Sequence, residues 1–448
     1  MSKMGKLLPS FISDNLNRHP DLKHILLNIG WLSFDRVLRM GVGLFIGVWV
    51  ARYLGPEQFG LFNYAIAFVA LFSSFATLGL DNIVIRDIVR DPSCKYETLG
   101  TAFILKFLGS GLTLLLAISV IYFLHPDNSL MQWSVGIIAA ATIFQSIDVI
   151  DFWFQSQIQS KYTVWARNIA FILIALLRVM LIQMHAPLIA FVFASSLEIV
   201  LAAIGLLVTY RSLKEQRLKS WRFNFPRAKL LLKNSWPLMI SGMAIMLYMK
   251  IDIVMLGEMV GDREVGIYAA ATRFSELWYF IPMAITSSVF PSIIEARKID
   301  EIKYYNRLQK LFDLMTGLAL AIAIPMTFLS NFVIRILYAN NYVGAGPILA
   351  IHIWAALFVF LGVAQSPWDI TEGLTKLAMI RTLIGAFINI SLNILLLPLY
   401  AGLGAAIATV VAYAVSGCLA NVIDKRSRRI FILQMKSLFL LRYFYRIP

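Results

Sequence analysis

The sequence predicts an all-α polytopic membrane protein with about twelve transmembrane helices in two pseudo-equivalent halves. Three observations lead there. Of 448 residues, 59% are hydrophobic and only 15% charged, with a mean hydropathy of +0.74; a soluble domain is nearer half apolar and a quarter charged. Many apolar runs exceed about 18 residues, the length a helix needs to cross a bilayer, and the short alternating strands of a membrane barrel are not visible. The third is a repeat. The turn Gly55-Pro56-Glu57-Gln58-Phe59-Gly60-Leu61-Phe62 returns without a gap as Gly261-Asp262-Arg263-Glu264-Val265-Gly266-Ile267-Tyr268, about 206 residues later (261 − 55). Each copy follows an apolar segment that carries charge, and internal similarity on this scale marks a chain built of two equivalent halves.

Taken in order, residues 1–30 hold Lys3, Lys6, Arg18 and Lys23 among scattered apolar residues and read as a cytoplasmic or interfacial segment. No cleavable signal is expected, because the first long apolar run, near Trp31, has no small-residue cleavage site behind it. The first bundle, 31–210, holds spans near 31–54, 59–85, 99–124, 131–154, 163–184 and 187–210, punctuated by the Gly-Pro turn, by His125-Pro126-Asp127-Asn128 and by Ala186-Pro187. Residues 211–231 form the most basic loop, with seven Lys/Arg between Arg211 and Lys229, and are the natural linker between halves. The second bundle, 232–423, holds spans near 235–257, 265–292, 311–330, 347–368, 374–397 and 402–423. An amphipathic outer segment near Asn331–Gly346 reads as a short hairpin. Residues 424–448 are a basic cytoplasmic tail.

Charge sets the orientation. With the N-terminus inside, cytoplasmic segments carry about 30 Lys/Arg and the outer loops two, Arg263 and Arg335, an asymmetry that the positive-inside rule requires. The net charge of +15 is therefore ascribed to topology, and no nucleic-acid partner is expected. Trp31, Trp49, Trp133, Trp153, Trp236 and Trp354 fall near segment ends, where interfacial belts place them. The two cysteines, Cys94 and Cys418, support neither a disulfide framework nor a metal site. No Walker A, HExxH, CxxC or GxSxG pattern occurs, so no cofactor, metal or catalytic residue is expected and the chain does not read as an enzyme.

Function is sought in the charges that lie within the apolar segments, because a charge at bilayer depth is costly and is a functional-site hypothesis by default. Arg36 and Arg39 are three apart and share a helix face, with Asp35 four residues before Arg39. Lys106, Asp148, Asp151, Arg178 and Glu198 follow in the first half, and Lys250, Asp252, Arg273, Glu276, Asp313, Asp369 and Arg381 in the second. Arg273 and Glu276 have the spacing of a local pair, and Asp148, Asp151, Asp369 and Arg381 lie near enough to the inner surface to be structural. Arg36 and Arg39 point instead to an anionic ligand, since a guanidinium grips phosphate oxygens through two parallel hydrogen bonds. The two glycine turns themselves read as tight connections between antiparallel helices rather than as ligand contacts.

The stretch Ala51-Arg52-Tyr53-Leu54-Gly55-Pro56-Glu57-Gln58-Phe59-Gly60-Leu61-Phe62-Asn63-Tyr64-Ala65, with the second turn and the Gly402-Leu403-Gly404-Ala405-Ala406 start of the last span, resembles the Wzx-type polysaccharide and O-antigen flippases. These belong to the multidrug/oligosaccharidyl-lipid/polysaccharide exporter superfamily. The resemblance implies that an undecaprenyl-pyrophosphate-linked oligosaccharide (an O-antigen, capsule or exopolysaccharide repeat, for lipopolysaccharide or related biosynthesis) is carried from the cytoplasmic to the periplasmic leaflet of a bacterial inner membrane. Both termini would be cytoplasmic. It implies two pseudo-equivalent six-helix bundles around a central cavity that is cationic, to which Arg36, Arg39, Arg178, Lys250 and Arg273 are the candidate contributors. Coupling to H⁺ or Na⁺ is the companion expectation, with Asp35, Asp252 and Glu198 as candidate ion sites. Membrane lipids, a polysaccharide polymerase and a chain-length regulator are the expected partners. Two rivals stand beside this reading. A drug/cation antiporter of the same superfamily would want a net acidic cavity; a membrane-embedded glycan polymerase or transferase would want a sizeable outer loop, and every outer loop here is short.

Overall fold

The computed structural model describes residues 20–212 and 218–439, with side chains described from Arg39 onward. Among these residues there are helices and no strands. The α-helices are α1 (Pro20–Thr77), α2 (Asp81–Arg90), α3 (Lys95–Leu124), α4 (Ser129–Ala141), α5 (Val149–Ser156), α6 (Lys161–Gln183), α7 (Leu188–Ser212), α8 (Phe225–Met259), α9 (Asp262–Glu276), α10 (Phe280–Ile299), α11 (Glu301–Tyr338), α12 (Ala345–His352), α13 (Ala355–Thr371), α14 (Thr375–Gly417) and α15 (Arg428–Leu438). The protein is an all-α polytopic membrane protein. Ten described segments are long and apolar enough to cross a bilayer, two of them, Arg39–Arg90 and Thr375–Val422, spanning 52 and 48 residues. At 1.5 Å per residue either would run for about 70–80 Å, more than twice a hydrocarbon core of ~30 Å.

Both long segments break, and the breaks bring ten segments to twelve crossings. In α1 the break is Gly55, with φ 72° and ψ 171°. Glycine takes this left-handed conformation without a Cβ penalty, and Pro56 behind it is preset for the first position of the next helical run. In α14 the break is Ala401, with φ 46° and ψ −127°, followed at once by Gly402.

Several sequence expectations move. The span predicted to start near 235 begins at Phe225, so the end of the basic linker is already helical. Residues 331–346 are not a hairpin: α11 continues to Tyr338, a 3-10 turn covers Ala339–Tyr342 and α12 starts at Ala345. The amphipathic pattern there was helical, since Ser330, Ile334 and Tyr338 form one buried stripe at a spacing of four. Trp49, Trp133 and Trp236 are exposed, as lipid-interface residues should be, but Trp153 is buried, edge-on to Tyr210 at 5.4 Å. It belongs to a core and not to a belt.

The chain forms two compact units. One runs to residue 46 and resumes over 72–240; the other comprises 47–71 and 241–448. The first is centred on Leu80, Val84, Leu99, Val149, Phe154 and Tyr210. The second is centred on Tyr304, Leu308, Phe312, Met315, Phe360 and Trp368.

Within the second unit the two repeated turns meet. A Cβ added to Gly60 would run into the backbone of Asp262, and one added to Gly266 would run into the backbone of Pro56. The sixth residue of each turn thus lies on the second residue of the other, which is the contact an approximate two-fold axis generates. Arg52 holds the same region: its Nε donates to the Leu337 carbonyl at 2.6 Å and its Nη2 to the Ile336 carbonyl. These are orphan acceptors at the C-terminus of α11, where a cation also complements the helix dipole. Tyr342 donates to the Ala51 carbonyl at 2.7 Å. Tyr64 donates to Glu258, and the absence of a side chain at Gly257 makes room for its ring.

Candidate functional site: two charged clusters in the helices

Arg39 on α1, Arg178 on α6 and Glu198 on α7 come together in the first unit. Arg39 lies 3.7 Å and Arg178 3.4 Å from opposite oxygens of the Glu198 carboxylate. Arg178 also donates to Ser195 at 3.1 Å, one turn before Glu198 on the same helix, and the Arg39 guanidinium lies over the Phe171 ring at 5.2 Å. Ring and carboxylate hold the planar groups by dispersion and charge together. The arginine side chains keep 28% and 20% of their surface accessible. Glu198, expected as an ion site, is therefore the acid that gathers two of the candidate cations. Asp35 and Arg36 have side chains outside the described residues; the helix that carries them is continuous through Arg39.

The second unit holds the other cluster. Asp252 on α8 is buried and accepts from Asn393 at 2.6 Å, from Thr409 at 2.5 Å and from Tyr268 at 3.2 Å. All three donors are neutral. Asn389, one turn before Asn393, accepts from its amide at 3.1 Å. Lys250, Arg273 and Asp252 all lie within electrostatic range of Glu276. Arg273 lies against α1 at Gly47, where a Cβ would collide with the guanidinium. Two residues on, Ser275 is 2.6 Å from His352 Nδ1, both of them buried.

Sequence reasoning missed the neutral partners of Asp252. Their signal was present: Asn389 and Asn393, four apart in an apolar run, fall on one helix face, as do polar groups that bridge membrane helices. The charges read as structural are so placed. Asp369 and Arg381 pair at 2.6 Å and are buried; Asp148 and Asp151 both meet Arg167, at 3.1 and 3.2 Å. Lys106 lies 3.7 Å from Asp81 and over the Phe152 ring. Among the described residues no group of three or more His, Cys, Asp or Glu is placed to hold a metal.

Residues 25–297 match the family described as polysaccharide biosynthesis protein, which is more than half of the chain. The chain belongs to this polysaccharide biosynthesis family. Residues 237–395 of this family member also match MatE. It is 32% identical over 183 residues to the probable flippase AglR of Haloferax volcanii, a match that covers 39% of this chain and 37% of that one. It is 29% identical over 200 residues to the probable lipid II flippase MurJ of Rhizobium tropici, covering 42% and 36%. The chain thus spans little more than a third of either curated relative. In fold it is similar to the inward-facing multidrug resistance MATE family transporter of the MOP superfamily, with a TM-score of 0.74 at 15% identity over 92% of this chain and 99% of that one. The resemblance read from residues 51–65 agrees with the family match, and the relatives and structures it resembles are named as probable flippases and as a multidrug resistance transporter.

Proposed function

We propose that this protein flips an undecaprenyl-pyrophosphate-linked oligosaccharide repeat unit from the cytoplasmic to the periplasmic leaflet of a bacterial inner membrane by alternating access. The observation that carries the reading is the convergence of Arg39 and Arg178, from different helices, on Glu198 with both arginine side chains partly accessible. A pyrophosphate linker is an anion, and a partly open arginine pair can take its oxygens bidentately. Arg36 would extend this cationic path along one helix face, and Lys250 and Arg273 would supply its counterpart in the second bundle. The membrane potential assists, at about 2.3 kcal/mol per charge per 100 mV for an anion leaving a negative cytoplasm. The glycan would travel in the polar interior while the polyprenyl tail stays in lipid.

Asp252 is the better of the described ion-coupling candidates. Glu198 is engaged by two arginines, whereas Asp252 meets neutral hydrogen-bond donors. A buried carboxylate without a cationic neighbour in contact is stabilised by taking up H⁺ or Na⁺. The polymerase and chain-length regulator would act on the product at the outer leaflet.

The test is translocation of a lipid-linked oligosaccharide in proteoliposomes, read by accessibility of the glycan to an external glycosidase. Arg39→Gln and Arg178→Gln, each inserting normally, should slow it by about tenfold or more, the loss of one charge-assisted contact of ~1.5–3 kcal/mol. Wild-type rates in both would refute the charge role. A second reading, antiport of a cationic drug, is favoured by the MatE match over 237–395 and by the acids Asp252 and Glu276 in that stretch. Dye efflux from the same proteoliposomes with no glycan transport would establish it instead.

A further inference from the structure

Three tyrosines from separate stretches of the second unit meet in mid-span. Tyr248 lies on α8, Tyr413 on α14, and Tyr279 in the 3-10 turn between α9 and α10. Tyr248 is 11 residues (259 − 248) from the end of α8 at Met259. Tyr413 is 12 residues (413 − 401) from the break at Ala401. Both depths are about 16–18 Å, half of a hydrocarbon core of ~30 Å. The Tyr248 and Tyr413 rings are 4.7 Å apart and stand at 89° to each other, a right-angled corner of two aromatic walls. Tyr248 is fixed there. Its hydroxyl is 2.6 Å from that of Ser416, and Gly385 leaves room for its ring, since a Cβ at 385 would come within 3.0 Å of it. Tyr279 is in electrostatic range of Tyr248, and both Tyr279 and Tyr413 are in range of Glu276. Glu276 and Tyr279 are three residues apart, the spacing at which side chains of a 3-10 turn lie one above the other.

Two features of this corner call for a ligand. The Tyr279 hydroxyl is buried and, among the described residues, has no hydrogen-bond partner. A hydroxyl left unpaired in the interior lowers stability, so its retention needs a reason. Glu276 places a carboxylate at bilayer depth, where a charge is costly and marks function by default. Lys250 and Arg273 offset it from a distance. With Asp252 beside Glu276, the two acids and two cations sum to no net charge, so the corner favours neither a cation nor an anion.

The groups present are those a sugar ring requires. A pyranose has an apolar C–H face, which packs on the electron-rich face of an aromatic ring. Its rim of hydroxyls both donates and accepts. A carboxylate accepts strongly from such hydroxyls, and a phenol can donate to them. An apolar guest would use the rings alone and leave Glu276 and Tyr279 desolvated without partners.

We infer that Tyr248, Tyr279, Tyr413 and Glu276 form a binding subsite for one neutral sugar ring. The inference rests on the glycan-transport reading and gives the glycan a contact of its own, separate from those proposed for the pyrophosphate.

The test uses the full-length protein in nanodiscs and the methyl glycosides of glucose, galactose, mannose and N-acetylglucosamine, each at about 10 mM, a range that detects millimolar binding. Saturation-transfer NMR should show wild type binding at least one of them. Tyr279→Phe removes only the unpaired hydroxyl. It should melt no lower than wild type and yet bind that glycoside about two- to tenfold more weakly; a merely structural tyrosine would not give this combination. Glu276→Gln should weaken binding about five- to tenfold, the difference between a charged and a neutral acceptor, and Tyr413→Leu about two- to tenfold. Equal binding in wild type and all three variants, or no transfer to any of the four glycosides, would overturn the subsite. Tetraphenylphosphonium bound in place of the glycosides, and lost in Glu276→Gln, would overturn it in favour of an organic cation. Undecaprenyl pyrophosphate without sugar separates the subsite from the reading beneath it: Tyr279→Phe and Tyr413→Leu should bind this carrier as wild type does. If glycosides bind and the carrier does not, the subsite stands and the transport reading falls. If the carrier binds and glycosides do not, the subsite alone falls.

Discussion

Gly60→Ala and Gly266→Ala, singly and together, probe the contact between the two repeated turns. Neither glycine has the positive φ that would itself exclude alanine; the positive-φ glycines are Gly55, Gly79, Gly261 and Gly373. The effect is therefore purely steric. A Cβ on Gly60 would lie 2.7 Å from the Asp262 carbonyl carbon, and one on Gly266 2.7 Å from that of Pro56. The carbonyl oxygens of Asp262 and Pro56 would lie closer still, and ordinary contact needs 3.4–4 Å, so the turns must part by more than about 1 Å. Overpacking of this kind costs about 1–3 kcal/mol, which lowers the population with paired turns by about five- to 150-fold relative to any state in which they are apart. Because the two contacts are reciprocal, one separation relieves both. The double variant should therefore cost little more than the worse single one, a non-additivity of about 1 kcal/mol or more. Spin labels at the exposed Gln58 and Arg263, read by pulsed dipolar spectroscopy in nanodiscs, should show a longer distance gaining weight in all three variants. Distances identical to wild type, or full additivity in thermal melts, would show that the turns do not move as a unit.

Three further outcomes follow from the same structure. Asp252→Asn keeps a side chain of the same shape but removes the charge; the protein should still bind substrate, while stimulation of transport by an H⁺ or Na⁺ gradient falls to background in the proteoliposome assay. Arg381→Met strands the buried Asp369 carboxylate, to which Arg381 donates at 2.6 Å, and should destabilise by about 3–5 kcal/mol; the D369L/R381M pair should recover most of the loss in the melting temperature. Ala401→Gly should stabilise by about 1 kcal/mol, because Ala401 has φ 46°, where an L-residue carries strain that glycine does not.

How far the sequence could be read depends on which physics each feature obeys. The spans were legible because bilayer thickness imposes a length on apolar runs, and the turns were legible because backbone approach leaves glycine at fixed places. The repeat could announce two similar turns; only coordinates could show Gly60 on Asp262 and Gly266 on Pro56. Asp369 and Arg381 were read as structural because of an expected place near the inner surface; they do pair, but as a buried pair rather than one in reach of water. Trp153 was misplaced because nearness to a segment end says nothing about which way a side chain faces. The hairpin reading of 331–346 failed because short amphipathic stretches fit both periods, and Ser330, Ile334 and Tyr338 follow the helical one. The convergence of Arg39 and Arg178 on Glu198 joins residues up to 159 apart (198 − 39), and no local pattern encodes such a meeting. The Asn389–Asn393 pair was visible as an i, i+4 polar doublet, but its partner Asp252 lies on another helix.

On the proposed function, the two clusters would divide the chemistry of transport. In the first unit two arginines gather on one acid, so any change at Glu198 also alters the hold on both guanidiniums. In the second unit an acid is held by neutral donors, so a proton or Na⁺ could come and go there without disturbing an arginine. Coupling then requires only that the ion-loaded and ion-free forms of the second cluster favour different arrangements of segment 47–71, which packs with the second unit and is continuous in α1 with Arg39. On that proposal Arg273, which lies against Gly47 within the second unit and in electrostatic range of the same Glu276 that feels Asp252, would be the residue that reads the ion. Gly47→Ala would force that guanidinium to move. If the proposed roles hold, it should lower the stimulation of transport by an ion gradient at unchanged half-saturating substrate. A change in half-saturation alone would place Gly47 in the substrate path and separate it from coupling.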